Sequence, residues 1–186
     1  MSFTIGSLRF IDSFQFMASS LEKLATNLYD KEDKYKQFHN MRREFPEHID
    51  LLCKKGHYPY EWVDSHEKLN HVGLPPIESF YSQLKKESIT EDDYKHAEHV
   101  YETMGCQSFM DYHSIYLKTD VLLLADVFET FRKTCSDYYQ LDPANYMSAP
   151  SLAWDATLLL TDIKLELITA TKMLDTVENN EAVCAL

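Results

Sequence analysis

The sequence predicts an α+β fold that is predominantly α-helical. The 186-residue chain contains only 4 glycines and 6 prolines, so it has few of the residues that interrupt helices and form tight turns. Apolar side chains recur at helical spacing over much of the chain, whereas the short stretch 7–12 alternates as a partly buried strand does. With 45% hydrophobic residues, the chain is long enough to bury one core.

Residues 1–29 are predicted to form a strand followed by a helix. The strand is the alternating stretch 7–12, and Ser19 or Ser20 can serve as the N-cap of the helix. The apolar residues that recur at helical spacing after this cap are Leu21, Leu24, Ala25 and Leu28.

Residues 30–105 are predicted to form a charged helical insertion. Two short helices are separated by Phe45-Pro46, and the stretch 56–61 breaks the helical pattern. A longer helix follows, which Thr90 can cap and Gly105 can end.

The longest helical pattern runs from about Ser108 to Tyr139, within a predicted unit of residues 106–140. At about 100° per residue, one face of this helix is almost entirely apolar. That face consists of Tyr116, Leu117, Asp120, Val121, Leu124, Val127, Phe128, Phe131 and Cys135. The opposite, solvated face carries Lys118, Asp126, Glu129, Lys133 and Asp137.

Asp120 is therefore the one acid predicted on the apolar face. An unpaired carboxylate that faces an interior is costly unless it is protonated, paired or bound to a cation. Tyr116 lies one turn earlier, where its hydroxyl can orient a metal-bound water beside Asp120. The alternative, which spacing alone favours, is that Asp120 pairs with a lysine or caps a neighbouring backbone.

Composition limits the function classes that the chain can belong to. The net charge of -12 repels a phosphate backbone, which disfavours a self-sufficient nucleic-acid binder. The four cysteines are far apart and form no C-x-x-C pair, as expected of reduced thiols. No apolar run approaches the roughly 20 residues of a membrane span, so we expect a soluble, intracellular protein, with nucleus and cytoplasm both open.

Residues 111–128 resemble the third exonuclease motif, Tyr-x-x-x-Asp, of the organellar and viral family-B DNA polymerases. This protein-primed branch includes the polymerases of large DNA transposons. The resemblance is collinear from about residue 7 to residue 176. It is carried by four further segments, 8–14, 55–61, 74–76 and 139–146.

The resemblance implies the C-terminal part of an RNase H-like 3′-5′ exonuclease domain. It assigns Tyr116 and Asp120 as catalytic residues, with Tyr116 positioning the hydrolytic water and Asp120 contributing to a Mg²⁺ or Mn²⁺ site. It also implies that Ser13, Phe14 and Met17 help to hold a single-stranded primer end. Phe14 replaces the usual leucine and can stack on a base.

The resemblance further implies that residues 141–186 begin the connection to a polymerase domain. Within it, we expect Trp154 to be a packing anchor rather than a platform for a base. The parent enzyme that the resemblance implies is a DNA-directed DNA polymerase with a proofreading exonuclease. Its expected partners are DNA and dNTPs, a terminal protein primer can be a further one, and no membrane is expected. The other exonuclease and polymerase motifs of the family are not found here, so we expect a fragment that is inactive alone and binds no metal tightly.

Two alternatives remain open at this point. The chain can be a non-catalytic helical module that binds DNA or protein, or a free-standing metal nuclease. The nuclease would need a second carboxylate pair, for which Asp64, Glu67 and the cluster 91–93 are available.

Overall fold

A computed structural model describes residues 2–84, 86–165 and Thr169. It confirms a mainly helical α+β architecture. Two strands, β1 (Ser2–Ile5) and β2 (Leu8–Ile11), precede six α-helices. The helices are α1 (Leu21–Asn27), α2 (His39–Glu44), α3 (Ile49–Leu52), α4 (Glu91–Thr103), α5 (Phe109–Tyr139) and α6 (Ala149–Thr161).

The two strands form an antiparallel hairpin, in which Phe3 is paired with Phe10 and Ile5 with Leu8. Gly6 lies at the first central position of the two-residue turn with φ +59°, a position that favours glycine because its backbone is left-handed. The predicted strand is confirmed as β2, although Leu8 and Phe10 are 65% and 43% exposed rather than partly buried as predicted. The preceding strand, β1, was not predicted.

Two predicted helices, α1 and α4, begin at the predicted caps, and α5 begins after Ser108, close to its predicted start. The Ser20 hydroxyl accepts a hydrogen bond from the Lys23 amide at 3.4 Å, and the Thr90 hydroxyl accepts one from the Asp93 amide at 3.2 Å. At the start of α5, the Asp111 carboxylate accepts a hydrogen bond from the Ser108 amide at 2.9 Å. These side chains satisfy amides that have no partner within the helix.

Helix α5 is the longest of the described helices, and α1 and α2 pack along it. The core that they enclose is built around aromatic and aliphatic side chains with no more than 4% exposure. Its members include Phe38, Met41, Leu52, Phe109, Tyr112, Leu123 and Val127.

The buried face of α5 differs from the predicted one. Leu117, Val121 and Leu124 were predicted inside, but they are 53%, 58% and 38% exposed. Val127 and Cys135 are buried as predicted, but Tyr112, Thr119, Leu123 and Asp126, which were not predicted on this face, are buried as well. Both arcs of the helix are rich in apolar residues, so helical periodicity alone did not show which arc α1 and α2 cover.

The prediction that Asp126 is solvated was wrong. Its side chain is 1% exposed and accepts hydrogen bonds from the amides of Asn40 at 2.8 Å and Met41 at 3.1 Å, and from Asn40 Nδ2 at 2.9 Å. Helix α2 starts after Phe38, which provides no capping side chain. Asp126 therefore caps α2 from the neighbouring helix.

The predicted role of Trp154 as a packing anchor was also wrong. Trp154 lies on α6 and is 60% exposed. Leu159 and Leu160, near the end of that helix, are 60% and 67% exposed. The buried side chains of α6 are Leu152 and Ala156, which lie on the side of the helix opposite to Trp154.

The cysteines within the described residues are unpaired. Cys53, Cys106 and Cys135 are free thiols. The prediction for Cys184 lies outside the described residues.

Candidate functional site

The two residues that the sequence singled out lie together on α5. The Tyr116 hydroxyl is hydrogen-bonded to the Asp120 carboxylate, as their spacing of one helical turn predicts. The same hydroxyl lies 2.5 Å from the hydroxyl of Tyr60. Tyr116 therefore joins the long helix to the segment that contains Tyr60.

That segment, residues 56–61, runs beside α5 and is hydrogen-bonded to residues on two adjacent turns of the helix. The Tyr112 hydroxyl donates to the backbone oxygen of His57 at 2.6 Å, and the Tyr58 hydroxyl lies 2.8 Å from Nδ1 of His113. Together with the contact between Tyr60 and Tyr116, these bonds fix the segment along two turns of the helix.

The ring of Tyr116 is held as closely as its hydroxyl. Tyr58 stacks on it with 4.8 Å between the ring centroids and 28° between the planes. Gly56 passes so close that an added Cβ would lie 3.0 Å from Cδ2 of Tyr116. A glycine at position 56 therefore leaves room for the tyrosine ring.

Sequence reasoning did not identify Gly56, Tyr58 and Tyr60 as parts of the site. They lie in a segment without helical or strand periodicity, so no local pattern directs their side chains towards α5. The available signal was that segment 55–61 belongs to the same family resemblance as the Tyr-x-x-x-Asp motif.

The environment of Tyr116 keeps its hydroxyl protonated. Burial raises the pKa of Tyr116 well above its ordinary value, and the hydrogen bonds with Tyr60 and Asp120 raise it further. A carboxylate oxygen accepts hydrogen bonds, so the Tyr116 hydroxyl can donate to Asp120 while it accepts from Tyr60. One lone pair of the Tyr116 oxygen is then left to accept a hydrogen bond from water.

Asp120 has one carboxylate oxygen that protein groups do not satisfy. Its Oδ1 is buried and has no hydrogen-bond partner among the described residues. The nearby Lys118 does not pair with Asp120 but with Glu44, at 2.8 Å. The alternative in which a lysine neutralises Asp120 is therefore not found within the described part of the chain.

An unpaired, buried carboxylate oxygen suits a divalent cation, which would compensate the lost hydration. Within residues 2–84 and 86–165, no three histidine, cysteine, aspartate or glutamate side chains converge as a metal site would require. Asp120 thus fits a metal as one ligand and needs others.

Ser13, Phe14 and Met17, predicted to hold a primer end, face different surroundings. Ser13 begins a 3₁₀ turn and lines a groove beside α5, whereas Phe14 is 58% exposed. Met17 packs against the core. In the described part of the chain, no hydrogen bond or ring contact joins these residues to Tyr116 or Asp120.

The adjacent arginines of α2, Arg42 and Arg43, form hydrogen bonds with side chains of the same chain. The guanidinium of Arg42 bonds both carboxylate oxygens of Asp33 at 2.7 and 2.9 Å. Arg43 donates to the side-chain oxygen of Asn40 at 3.3 Å. These contacts favour a structural role for the Arg42-Arg43 pair.

Comparison with known families decides the relationship of the chain. A family model described as DNA polymerase type B, organellar and viral, matches residues 1–175. The chain belongs to the organellar and viral type B DNA polymerases. No curated protein and no solved structure gives a significant match.

The match confirms the resemblance seen in the sequence and makes DNA the substrate of the polymerase family to which these residues belong. In the described part of this polymerase chain, no helix is both long enough and apolar enough to cross a membrane.

Proposed function

We propose that this polymerase chain supplies one half of a metal-dependent 3′-5′ exonuclease site, built on Tyr116 and Asp120, and that it does not hydrolyse DNA alone. The observation that carries the proposal is the unpaired, buried Oδ1 of Asp120. A structural carboxylate would have its acceptors filled, as those of Asp126 are by Asn40 and Met41.

Each residue has a distinct role in this proposal. Asp120 would hold a Mg²⁺ or Mn²⁺ ion. When bound, this ion would supply the positive charge that phosphodiester hydrolysis needs. Tyr116 would accept a hydrogen bond from the attacking water through its remaining lone pair. Tyr60 would fix the Tyr116 hydroxyl by donating to it. Since the phenol stays protonated, Tyr116 orients the water but does not deprotonate it.

The half-site is incomplete for a physical reason. Two-metal hydrolysis uses several carboxylates that converge on ions about 4 Å apart, and one helix cannot provide them. Two of the acids considered as partners have other contacts, since Asp64 pairs with Lys68 at 3.0 Å and Asp93 lies 3.3 Å from His57. Other carboxylates must join Asp120 for catalysis.

The remaining parts of the proposal concern the parent enzyme. Ser13 and the exposed Phe14 would contact the single-stranded primer end, with Phe14 stacking on a base. The RNase H-like fold, the dNTP substrates, the terminal protein primer and the origin in a transposon rest on the family resemblance alone.

Manganese binding tests the site without requiring activity. In two-dimensional NMR of the isotopically labelled chain, we expect millimolar Mn²⁺ to broaden the backbone signals around Tyr116 and Asp120. The broadening should be lost in Asp120→Asn and kept in Asp137→Asn, which removes an exposed carboxylate from the same helix. Broadening confined to the other acidic side chains, or unchanged in Asp120→Asn, would refute the assignment.

A further inference from the structure

His57 lies between the two residues that hold the ring of Tyr116. Gly56 precedes it and passes close to that ring, and Tyr58 follows it and stacks on the ring. The side chain of His57 contacts a different helix, because its Nε2 lies 3.3 Å from Oδ1 of Asp93 on α4. The segment is thus connected to α4 at the position between its two contacts with Tyr116.

His57 is held at its backbone as well as at its ring. Its carbonyl oxygen accepts a hydrogen bond from the Tyr112 hydroxyl at 2.6 Å, while its ring contacts Asp93. Tyr112 is 3% exposed in the core, so this hydroxyl has a fixed position. Since consecutive residues are joined by planar peptide groups, a movement of His57 also moves Gly56 and Tyr58.

The Asp93 carboxylate is held in place by the start of α4. Its Oδ2 accepts a hydrogen bond from the Thr90 hydroxyl at 2.8 Å, and its amide donates to the same hydroxyl at 3.2 Å. Ala97 and Val100 fix the helix itself, since they are 2% and 7% exposed in the core. Burial raises the pKa of Asp93, but the hydrogen bond from Thr90 and the nearby His57 lower it below its ordinary value. A fixed, ionised carboxylate therefore faces the imidazole ring.

Asp92 and Asp93 are neighbours in the first turn of α4 and have different surroundings. The side chain of Asp92 is 96% exposed and lies 4.0 Å from Lys95 of the same helix. The side chain of Asp93 is 41% exposed and reaches His57, in the segment that contacts α5. Both acids oppose the helix dipole equally well, so the contact with His57 is what distinguishes Asp93.

We infer that Asp93 is a positioning residue for the half-site: it holds His57, and through His57 it holds Gly56 and Tyr58 against the ring of Tyr116. In the proposed function Tyr116 orients the attacking water, and the role of Asp93 rests on that assignment. Helix α4 belongs to the charged helical insertion, so the insertion contributes to the placement of the tyrosine without touching the reacting groups.

Ring flipping of Tyr116 measures this role. NMR of the full chain with labelled tyrosine rings, recorded with a chelator present, gives the chemical shifts and the flip rate of the Tyr116 ring. We expect Asp93→Ala to shift these signals and to make flipping about threefold faster, as the loss of a partly exposed ion pair allows. The matched control Asp92→Ala, which removes the neighbouring carboxylate, should leave both unchanged.

His57→Ala should affect Tyr116 as Asp93→Ala does, and the double variant should go no further, because all three break one contact. The positioning role is overturned if Asp93→Ala leaves the Tyr116 ring unchanged, if Asp92→Ala changes it as much, or if the effects of the two single variants add. The measurement contains no metal. Its outcome is therefore separate from that of manganese binding at Asp120, and either can fail while the other succeeds.

Discussion

Asp120 and Asp126 lie six residues apart on α5 and have opposite surroundings. Asp126 is 1% exposed and accepts three hydrogen bonds from Asn40 and Met41. Asp120 bonds to Tyr116 but leaves Oδ1 buried and unpaired. A carboxylate with its acceptors filled stabilises a fold, whereas a buried acceptor left without a partner reduces stability.

Replacing Asp120 by asparagine should therefore stabilise the free protein. The substitution removes a half-buried charge and keeps an oxygen that can accept from Tyr116. In urea unfolding with a chelator present, we expect a gain of roughly 1 kcal/mol in the free energy of unfolding. A loss of that size or more would mean that Asp120 serves the fold.

Replacing Asp126 by alanine should have the opposite effect. The change leaves the amides of Asn40 and Met41 without their acceptor at the start of α2. We expect a loss of about 3 kcal/mol in the same unfolding measurement. The control Asp137→Ala removes an exposed ion pair with Lys133 and should change stability by less than about 1 kcal/mol. Equal effects of the two variants would contradict the capping role.

At the scale of elements, the site is formed where segment 56–61 meets α5. Tyr60 reaches the Tyr116 hydroxyl from this segment, and Tyr58 stacks on the same ring. The helix places Tyr116 beside Asp120, and the segment limits the movement of the tyrosine. Precise placement of a water requires both.

Tyr60→Phe tests this contribution, because it removes one hydroxyl and keeps the ring. We expect the ring signals of Tyr116 to shift in NMR spectra and stability to fall by about 1 kcal/mol. Tyr138→Phe is the control, since Tyr138 lies on α5, as Tyr116 does, and is 74% exposed. If the chemical shifts of the Tyr116 ring are the same in Tyr60→Phe as in Tyr138→Phe, the hydrogen bond between the Tyr60 and Tyr116 hydroxyls does not position Tyr116.

A second junction ties the end of α5 to the 3₁₀ turn at Pro143–Asn145 and depends on pH. Hydrogen bonds from Arg132 lower the pKa of Asp142 from 3.8 to about 2. A lowered folded-state pKa contributes stability above the ordinary pKa, and the contribution disappears as pH falls through the folded value. Asp142→Asn should thus cost up to about 1 kcal/mol at neutral pH, since the pair is partly exposed.

Chemical unfolding of both proteins between pH 6 and pH 2 measures this difference. The two stabilities should converge as pH falls from about 4 towards 2. A difference that stays constant over this range would show that the Asp142 carboxylate is not stabilised by Arg132.

The accuracy of the sequence predictions follows the range of the interactions involved. The starts of α1 and α4 were predictable because Ser20 and Thr90 cap helices through residues three positions away. The buried arc of α5 was not, since it depends on α1 and α2, and the amide acceptor of α2 is a residue more than eighty positions later in the chain. Tyr116 and Asp120 were found because both lie on one helix, whereas Tyr60 was missed because it comes from another segment.

At the scale of the whole molecule, the chain combines a well-packed helical core with one open apolar surface. The core holds Tyr116 and Asp120 in place through α5. The exposed hairpin and the exposed arc of α5 leave apolar side chains in contact with solvent. In the proposed function, other groups must join Asp120 before hydrolysis.

Hydrolysis of single-stranded DNA tests the central claim most directly. The chain is incubated with a 5′-labelled single-stranded oligonucleotide and Mg²⁺ or Mn²⁺, and the products are separated by length. We predict no shortening of the oligonucleotide, since one carboxylate cannot assemble a two-metal site. Metal-dependent shortening that is lost in Asp120→Ala but kept in Asp137→Ala would contradict the half-site and show a complete nuclease.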